Sequence, residues 1–249
     1  MAEYKEKMAQ EAEQREQEEK QHQVECFMFL RLLKEILKWD REIDGCRQTL
    51  FGHKTFNAVD AFRMFDKDNK GYITEEDLQE GFKNGNEEVA DLNALCDDEG
   101  KISYQEFVRL ITPTTHDCRD GQPNLCDTMR MSAEAKQANQ QAAMDSLACL
   151  FGTIILANSE LELKREKCGL DGDKLFDSMD TYRQGAISCG QFIHWIQDNC
   201  NYSLKADELN SLRIRFDKNN EHRISREAFV EEVSALEEEE AADDEKSAD

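Results

Sequence analysis

The sequence is poor in proline, in positive charge and in long apolar runs. It has two prolines, and its 31 Lys and Arg stand against 54 Asp and Glu, for a net charge of −23. Nucleic acids and anionic membranes are bound by clustered Lys and Arg, so this shortage argues against both. No apolar run approaches the roughly 18 residues of a membrane span, and the charged start is unlike a signal peptide. We therefore expect a cytoplasmic protein without a membrane span.

The sequence also lacks the motifs of common enzymes and of disulfide-bonded proteins. Its nine cysteines are odd in number and show no C-x-x-C spacing, which predicts reduced thiols in a cytosolic compartment. We find no nucleophile elbow, no H-E-x-x-H, no phosphate loop and no glycine-rich dinucleotide turn. The sequence therefore predicts a protein that is not an enzyme.

The most informative segment is an acidic stretch of twelve residues, 66–77, which reads Asp-Lys-Asp-Asn-Lys-Gly-Tyr-Ile-Thr-Glu-Glu-Asp. Acids stand at positions 1, 3 and 12, with Gly71 at position 6 and Ile73 at position 8. Apolar segments with helical spacing flank it on both sides. This arrangement of helix, acidic loop and helix resembles the EF-hand of the calmodulin and centrin superfamily.

The same frame recurs three more times along the chain. Each copy keeps an isoleucine at position 8, where the loops of two paired hands form a short ladder; these are Ile73, Ile102, Ile187 and Ile224. A single hand cannot bury its apolar faces alone, so four copies predict two pairs. The resemblance covers about 55–112 and 170–235.

The resemblance implies a metal site in the first hand that is weak. An EF-hand binds Ca²⁺ through side-chain oxygens at positions 1, 3, 5 and 12 and a backbone carbonyl at position 7. Lys70 stands at position 5, where its charge about 4 Å from Ca²⁺ would cost roughly 8 kcal/mol, less if the side chain turns outward. Asp77 at position 12 is shorter than Glu and favours the smaller Mg²⁺. The implied Ca²⁺ or Mg²⁺ ligands are Asp66, Asp68, the Tyr72 carbonyl, Thr74 through water, and Asp77.

The other three hands lack more of the ligands. The second has Leu95 in register at position 1, and the third has Gln191 at position 12. The fourth has Ala228 at position 12 and His222 at position 6, which requires a positive φ that histidine resists. We expect these three hands to bind Ca²⁺ poorly.

These patterns predict an all-α protein of two lobes, each an EF-hand pair preceded by a long leader helix. The predicted divisions are a polar helical arm at 1–23, lobe 1 at 24–112, a linker at 113–132, lobe 2 at 133–236 and a disordered acidic tail at 237–249. The linker contains both prolines, and the tail consists mostly of acids.

The first leader helix, 24–44, is apolar on more than one face, so we expect it to be buried. One alternative is a helix that fills the groove of its own or another lobe, as a calmodulin target does; the other is a core helix between lobes. The candidate partner-binding residues are Phe27, Phe29, Leu33, Ile36 and Trp39.

Two functions remain open. The first is a structural or adaptor subunit that docks amphipathic helices of protein partners, largely without Ca²⁺. Acidic EF-hand proteins with degenerate loops and long helices resemble components of cytoskeletal and axonemal assemblies, so a larger assembly in the cytoskeleton or cilium is expected. The alternative is a Ca²⁺ or Mg²⁺ sensor in which one weak site opens lobe 1.

Overall fold

A computed structural model describes residues 2–53, 56–84, 89–114, 133–219 and 221–235. The predicted acidic tail and all of the predicted linker beyond Thr114 lie outside these residues. The helices are α1 (Ala2–Phe51), α2 (Ala58–Phe65), α3 (Glu75–Asn84), α4 (Tyr104–Ile111), α5 (Ala133–Cys168), α6 (Gly172–Met179), α7 (Cys189–Cys200), α8 (Ala206–Phe216) and α9 (Arg226–Val233). The strands are β1 (Tyr72–Thr74), β2 (Lys101–Ser103), β3 (Ala186–Ser188) and β4 (Arg223–Ser225), and a 3₁₀ turn covers Leu92–Leu95.

The regular secondary structure of the described residues is helical, as predicted, apart from four strands of three residues each. The first helix differs from the prediction because α1 is continuous from Ala2 to Phe51 and joins the predicted arm to the leader helix. The first glycine of the sequence is Gly45 and the first proline is Pro113, so neither helix-breaking residue stands between the two segments.

Four loops follow the predicted frame, and we number them loop 1 (66–77), loop 2 (95–106), loop 3 (180–191) and loop 4 (217–228). Strands β1 and β2 pair antiparallel, and so do β3 and β4. The central partners are Ile73 with Ile102 and Ile187 with Ile224, and all four side chains are buried. The predicted isoleucine ladder is therefore confirmed in both pairs.

The chain forms two compact units. The first-pair unit comprises Lys34–Leu161 and Ala206–Ile214, and it contains loops 1 and 2. Its core includes Phe151 of α5, whose ring centroid lies 5.9 Å from that of Phe82 and 6.2 Å from that of Phe107. The apolar groove of loops 1 and 2 therefore holds a residue of α5.

The second-pair unit comprises Met1–Leu33, Glu162–Lys205 and Arg215–Asp249, and it contains loops 3 and 4. Its core includes Phe29 of α1, which is fully buried. The Phe29 ring centroid lies 5.7 Å from that of Trp195, 6.3 Å from that of Phe192 and 6.1 Å from that of Phe229. A segment of α1 thus occupies the groove of loops 3 and 4.

These units differ from the lobes expected from the sequence, which assigned each leader helix to the hands that follow it. Residues 24–33 of α1 pack with loops 3 and 4, and the α5 segment up to Leu161 packs with loops 1 and 2. The physical reason is long-range apolar packing: the aromatic rings of each pair contact a phenylalanine from the helix that the sequence assigns to the other pair.

Helix α5 contains a segment, Gln140–Cys168, that is long and apolar enough by length and composition to cross a membrane. This segment contradicts the expectation that no apolar run approaches the length of a membrane span. Several of its large apolar side chains are buried in the first-pair unit, namely Leu147, Leu150, Phe151 and Ile154. A core helix of a soluble domain passes the same test, so composition alone does not make α5 a membrane span.

Candidate metal-binding loops

Loop 1 is organised around the carboxylate of Asp66 at position 1. This side chain is 5% exposed, and its two oxygens accept from backbone groups of the same loop. The Lys70 N–H donates to Oδ1 at 2.7 Å, and the Gly71 N–H donates to Oδ2 at 2.8 Å. Gly71 has a φ of 85°, which allows both N–H groups to point inward. The turn is therefore closed by its own amides.

The side chain of Lys70 lies across loop 1 onto the residue at position 12. Its Nζ donates to Asp77 Oδ2 at 2.6 Å. The same oxygen accepts from the N–H of Thr74 at 2.8 Å and from its hydroxyl at 2.9 Å. Lys70 therefore points inward rather than outward, and the oxygen that would coordinate a metal ion already has three donors.

This contact changes the acidity of both groups. The hydrogen bond to Asp77 raises the pKa of Lys70, so the ammonium stays charged. Burial opposes the charge on Asp77, but the hydrogen bonds from Lys70 and Thr74 outweigh it and lower the pKa of that carboxyl. The ion pair is therefore maintained at neutral pH.

The remaining candidate ligands of loop 1 lie close by in sequence but differ in environment. Asp68 at position 3 is exposed. The ring of Tyr72 lies close to two ammonium groups, with its centroid 5.4 Å from Lys70 Nζ and 5.1 Å from Lys101 Nζ. Two lysines thus stand beside the residue whose carbonyl occupies position 7, and each is paired with an acid, Lys70 with Asp77 and Lys101 with Glu99.

Loop 2 has the frame of a metal loop without its first ligand. Leu95 ends a 3₁₀ turn at position 1, so Asp97 is the first carboxylate of the loop. Asp97 Oδ1 accepts from the N–H groups of Glu99 at 3.0 Å and Lys101 at 2.9 Å. Glu106 at position 12 accepts from the Ser103 N–H at 2.8 Å. Both acids are used to hold the turn.

Loop 3 repeats the arrangement at position 1. Asp180 accepts from the N–H of Gln184 at 3.0 Å and from that of Gly185 at 2.7 Å. These two bonds lower the pKa of Asp180.

Loop 4 repeats it again, with Asp217 accepting from the N–H groups of Glu221 and His222, both at 2.9 Å. His222 adopts a φ of 59°. Histidine therefore adopts the positive φ that position 6 requires, and the hydrogen bond from its N–H to Asp217 is part of that turn.

Position 9 carries a residue with a hydroxyl group in all four loops, and in three of the loops this residue is the N-cap of the following helix. Ser103, Ser188 and Ser225 accept from the N–H of the residue at position 12. Ser103 with Glu106 and Ser188 with Gln191 form complete capping boxes. The side chains of Glu106 and Gln191 at position 12 thus cap helices, whereas a metal-binding loop would use them as ligands.

A family model for an EF-hand domain pair matches residues 56–112. Residues 56–112 form an EF-hand pair. Calcium-binding protein E63-1 of Drosophila melanogaster is 29% identical to the chain over 98 residues, which cover 31% of this chain and 51% of that protein. The chain thus spans about half the length of this relative, and the homology is distant.

The EF-hand pair and its surroundings contain no preformed cation cage among the residues that the structure describes. No group of three or more His, Cys, Asp or Glu side chains there is arranged to hold a metal ion. Loop 1 brings Asp66, Thr74 and Asp77 into one turn, but Lys70 is drawn into the same turn. An incoming ion must therefore displace an ammonium group.

The candidate partner-binding residues of α1 divide into two groups. Phe29, Leu33 and Ile36 are fully buried, and Trp39 is nearly so. Phe27 is 59% exposed, and the Arg31 guanidinium lies 5.9 Å from its ring centroid. Only Phe27 of the five is therefore placed on the surface.

Sequence reasoning missed two features of the loops. The first is the contact between Lys70 and Asp77, which could have been anticipated because positions 5 and 12 both face the interior of an EF-hand loop. The second is the row of helix caps at position 9, for which the spacing of Ser103 with Glu106 and of Ser188 with Gln191 was a visible signal.

Proposed function

We propose that this protein is a non-catalytic structural or adaptor member of the EF-hand family that docks amphipathic helices of partner proteins, largely without Ca²⁺. Its proposed place is a cytoskeletal assembly such as an axoneme. The observation that supports this most directly is the hydrogen bond from Lys70 Nζ to Asp77 Oδ2 at 2.6 Å. Loop 1 carries its own cation where a sensor would bind one.

Exchanging that cation for Ca²⁺ has a cost in free energy. Binding requires Asp77 Oδ2 to lose hydrogen bonds from Lys70 and Thr74, and it requires the ammonium to move into water. If Lys70 stayed, it would repel the ion. Each of the other loops lacks a carboxylate at position 1 or at position 12, where Leu95, Gln191 and Ala228 stand.

The apolar grooves of both EF-hand pairs are already filled by side chains of this chain. Phe151 fills the groove in the first-pair unit, and Phe29 fills the groove in the second-pair unit. A sensor exposes its groove when Ca²⁺ favours the open state. Ca²⁺ can shift the equilibrium between the closed and open states only as far as its affinities for the two states differ. In this proposal the filled grooves are permanent structural elements.

The surface of α1 suggests the kind of partner. Its exposed large apolar side chains are Tyr4, Met8, Val24 and Phe27. The chain as a whole carries a net charge of −23. An amphipathic helix with basic residues beside its apolar face complements both properties, because opposite charges steer association and apolar contacts hold the complex.

The alternative is a Ca²⁺ or Mg²⁺ sensor with one weak site. It is favoured by the acids at positions 1, 3 and 12 of loop 1, Asp66, Asp68 and Asp77, and by the positive φ of Gly71, which the turn of a metal-binding loop requires.

A Ca²⁺ titration followed by amide NMR and calorimetry separates the two functions. Gly71, Gly100 and Gly185 report on loops 1, 2 and 3 at position 6. We expect Gly100 and Gly185 to keep their shifts, and Gly71 to move only at Ca²⁺ concentrations far above those of a cytosolic sensor. A dissociation constant below about 10 µM would favour the sensor instead.

Docking is tested with a short leucine–lysine peptide of amphipathic helical pattern. We expect the full-length protein to bind it with the same affinity in Ca²⁺ and in EGTA, and Phe27→Ala to weaken binding about tenfold. Affinity that depends on Ca²⁺ would support the sensor. Absence of binding in both buffers would contradict the docking role.

A further inference from the structure

Two cysteines from different helices meet at the surface of the first-pair unit. Cys46 lies on α1 and Cys149 on α5, 103 residues apart, and their sulfur atoms are 3.9 Å from each other. Cys149 is exposed and Cys46 is half-buried. Thr153 lies one turn after Cys149, with its hydroxyl 3.7 Å from Cys46 Sγ.

The surroundings leave both sulfur atoms accessible to small molecules. They line an open recess together with Glu42, Gly45, Thr49, Asp145, Ser146 and Thr153. Gly45 contributes no side chain, and a Cβ placed there would meet no atom within 4 Å. The recess is therefore open on the side of α1 next to Cys46.

We propose that Cys46 and Cys149 form a reversible disulfide site, which closes under a two-electron oxidant of the peroxide class. The present separation is a thiol–thiol contact, and a bond requires the sulfur atoms to approach to about 2.05 Å. The contact of 3.9 Å already brings the two side chains together, and in this proposal rotations about χ1 supply the remaining approach.

The reaction balances with hydrogen peroxide alone. One thiolate sulfur attacks a peroxide oxygen, the O–O bond breaks, and the sulfur becomes a sulfenic acid while hydroxide leaves. The second sulfur then attacks the sulfenic sulfur, the S–S bond forms and the sulfenic oxygen leaves as hydroxide. Two thiol protons neutralise the two hydroxides, so two thiols lose two electrons and one peroxide becomes two waters.

The same chain offers an internal control in the second-pair unit. Cys26 and Cys200 are also neighbours, with Cys200 Sγ 3.6 Å from the carbonyl oxygen of Cys26. Cys26 is buried, and burial together with the neighbouring Cys26 thiol raises the pKa of Cys200 to about 12. Burial also raises the pKa of Cys149, but that side chain is exposed to an oxidant. Cys26 is buried and Cys200 forms little thiolate at neutral pH, so this pair is expected to stay reduced.

The disulfide would have a defined structural effect. It would join α1 to α5 two residues before Phe151, the side chain that fills the groove of the EF-hand pair. The cross-link closes a segment of about 100 residues in the unfolded chain, which stabilises a native fold substantially. Oxidation would therefore fix the groove in its filled state.

The test is oxidation of the native full-length protein with hydrogen peroxide, then alkylation, tryptic digestion and mass spectrometry. Cys46 and Cys149 lie in separate tryptic peptides, 42–47 and 137–164, each with a single cysteine. We expect these two peptides to appear joined, with the loss of two hydrogens, and to separate after dithiothreitol.

The melting temperature gives a second measurement. We expect oxidation to raise it by about 5 °C or more. Cys46→Ser and Cys149→Ser should abolish both the joined peptide and the increase, whereas Cys200→Ser should abolish neither. Failure to find the joined peptide, or an equal yield of cross-links from Cys46 to other cysteines, would overturn the proposal.

Discussion

The ammonium nitrogen of Lys70 lies 2.6 Å from Oδ2 of Asp77, so positions 5 and 12 of the first loop are bound to each other. In an EF-hand loop both positions face the ion. The pair therefore occupies the space between the two ends of the cage, and the first hand keeps the shape of a metal site while its own side chain supplies the positive charge.

Restoring two oxygens to loop 1 should create a Ca²⁺ site. We expect Lys70→Asp together with Asp77→Glu to give a dissociation constant at or below about 10 µM by calorimetry, because the repelling charge is removed and position 12 becomes bidentate.

The control for that variant is Lys67→Asp. Lys67 is at position 2, which supplies no ligand, and it is paired with Glu80 at 2.6 Å. Its substitution by Asp changes the net charge of the loop by the same amount as the double substitution. It should bind Ca²⁺ no better than the native chain. Comparable binding by both variants would mean that charge, rather than coordination, limits the site.

The acidity of Asp77 should depend on Lys70. In Lys70→Gln we expect the pKa of Asp77 to rise toward its ordinary value, because the charged donor is lost and burial still opposes the carboxylate. Carboxyl-detected NMR titration measures this. Asp180 has a pKa lowered by backbone amides in loop 3, so it should not change.

The sign of the pH dependence follows from the same shift. The folded pKa of Asp77 is lowered, so its contribution to stability is complete above the ordinary carboxyl pKa of about 3.9 and is lost as pH falls through the folded value. Acid should therefore loosen loop 1 only below about pH 4. Loosening of loop 1 near pH 6, seen by hydrogen exchange, would contradict this assignment.

Removing the side chain that fills the second-pair groove should be costly. Phe29→Ala should lower the free energy of unfolding by about 3–5 kcal/mol, because a fully buried ring leaves a cavity among Phe192, Trp195 and Phe229. Urea denaturation measures the change in the free energy of unfolding, and the binding of a hydrophobic dye reports apolar surface that becomes exposed.

Phe27→Ala is the matched control, since Phe27 is two residues away on the same helix and 59% exposed. Its effect should stay within about 0.5 kcal/mol. Equal losses from the two variants would show that α1, rather than the occupied groove, accounts for the stability.

One glycine in α3 is required by close packing. A Cβ at Gly81 would overlap the ring of Phe65, lying 2.5 Å from Cε1, and that ring is buried. Gly81→Ala should destabilise the first-pair unit by about 1–3 kcal/mol despite the better helix propensity of alanine.

A Cβ added at Gly152 in α5 would meet no atom within 4 Å. Gly152→Ala should therefore stabilise the same unit by about 0.5–1 kcal/mol. Opposite signs for the two variants, measured by denaturation midpoints, are the expected result. A stabilising Gly81→Ala would show that Phe65 moves without cost.

The sequence was sufficient for the loop frame and for the pairing of the loops. Ile73 and Ile102 stand at a fixed position within a local twelve-residue motif, so their pairing follows from counting residues. The direction of the Lys70 side chain could not be read in this way. It depends on which rotamer meets a partner, and a flexible lysine has many.

The assignment of helices to units was also beyond the sequence. Phe29 contacts Phe192, which is far away in the sequence, and no periodic pattern predicts such a pairing. Amphipathic spacing shows which face of a helix is buried, but it does not show which element covers that face. The conformation of His222 was also not given by its residue type, because position in the loop, rather than the preference of histidine, sets its positive φ.

The placement of Phe29 sets a boundary on the smallest useful fragment of this protein. Proteolysis or splicing that removed everything before Phe56 would leave all four loops intact, and a search for loop motifs would find nothing missing. The aromatic rings of Phe192, Trp195 and Phe229 would nevertheless lose their covering residue. Such a fragment should self-associate, because the domain as packed begins on the first helix and not at the first loop.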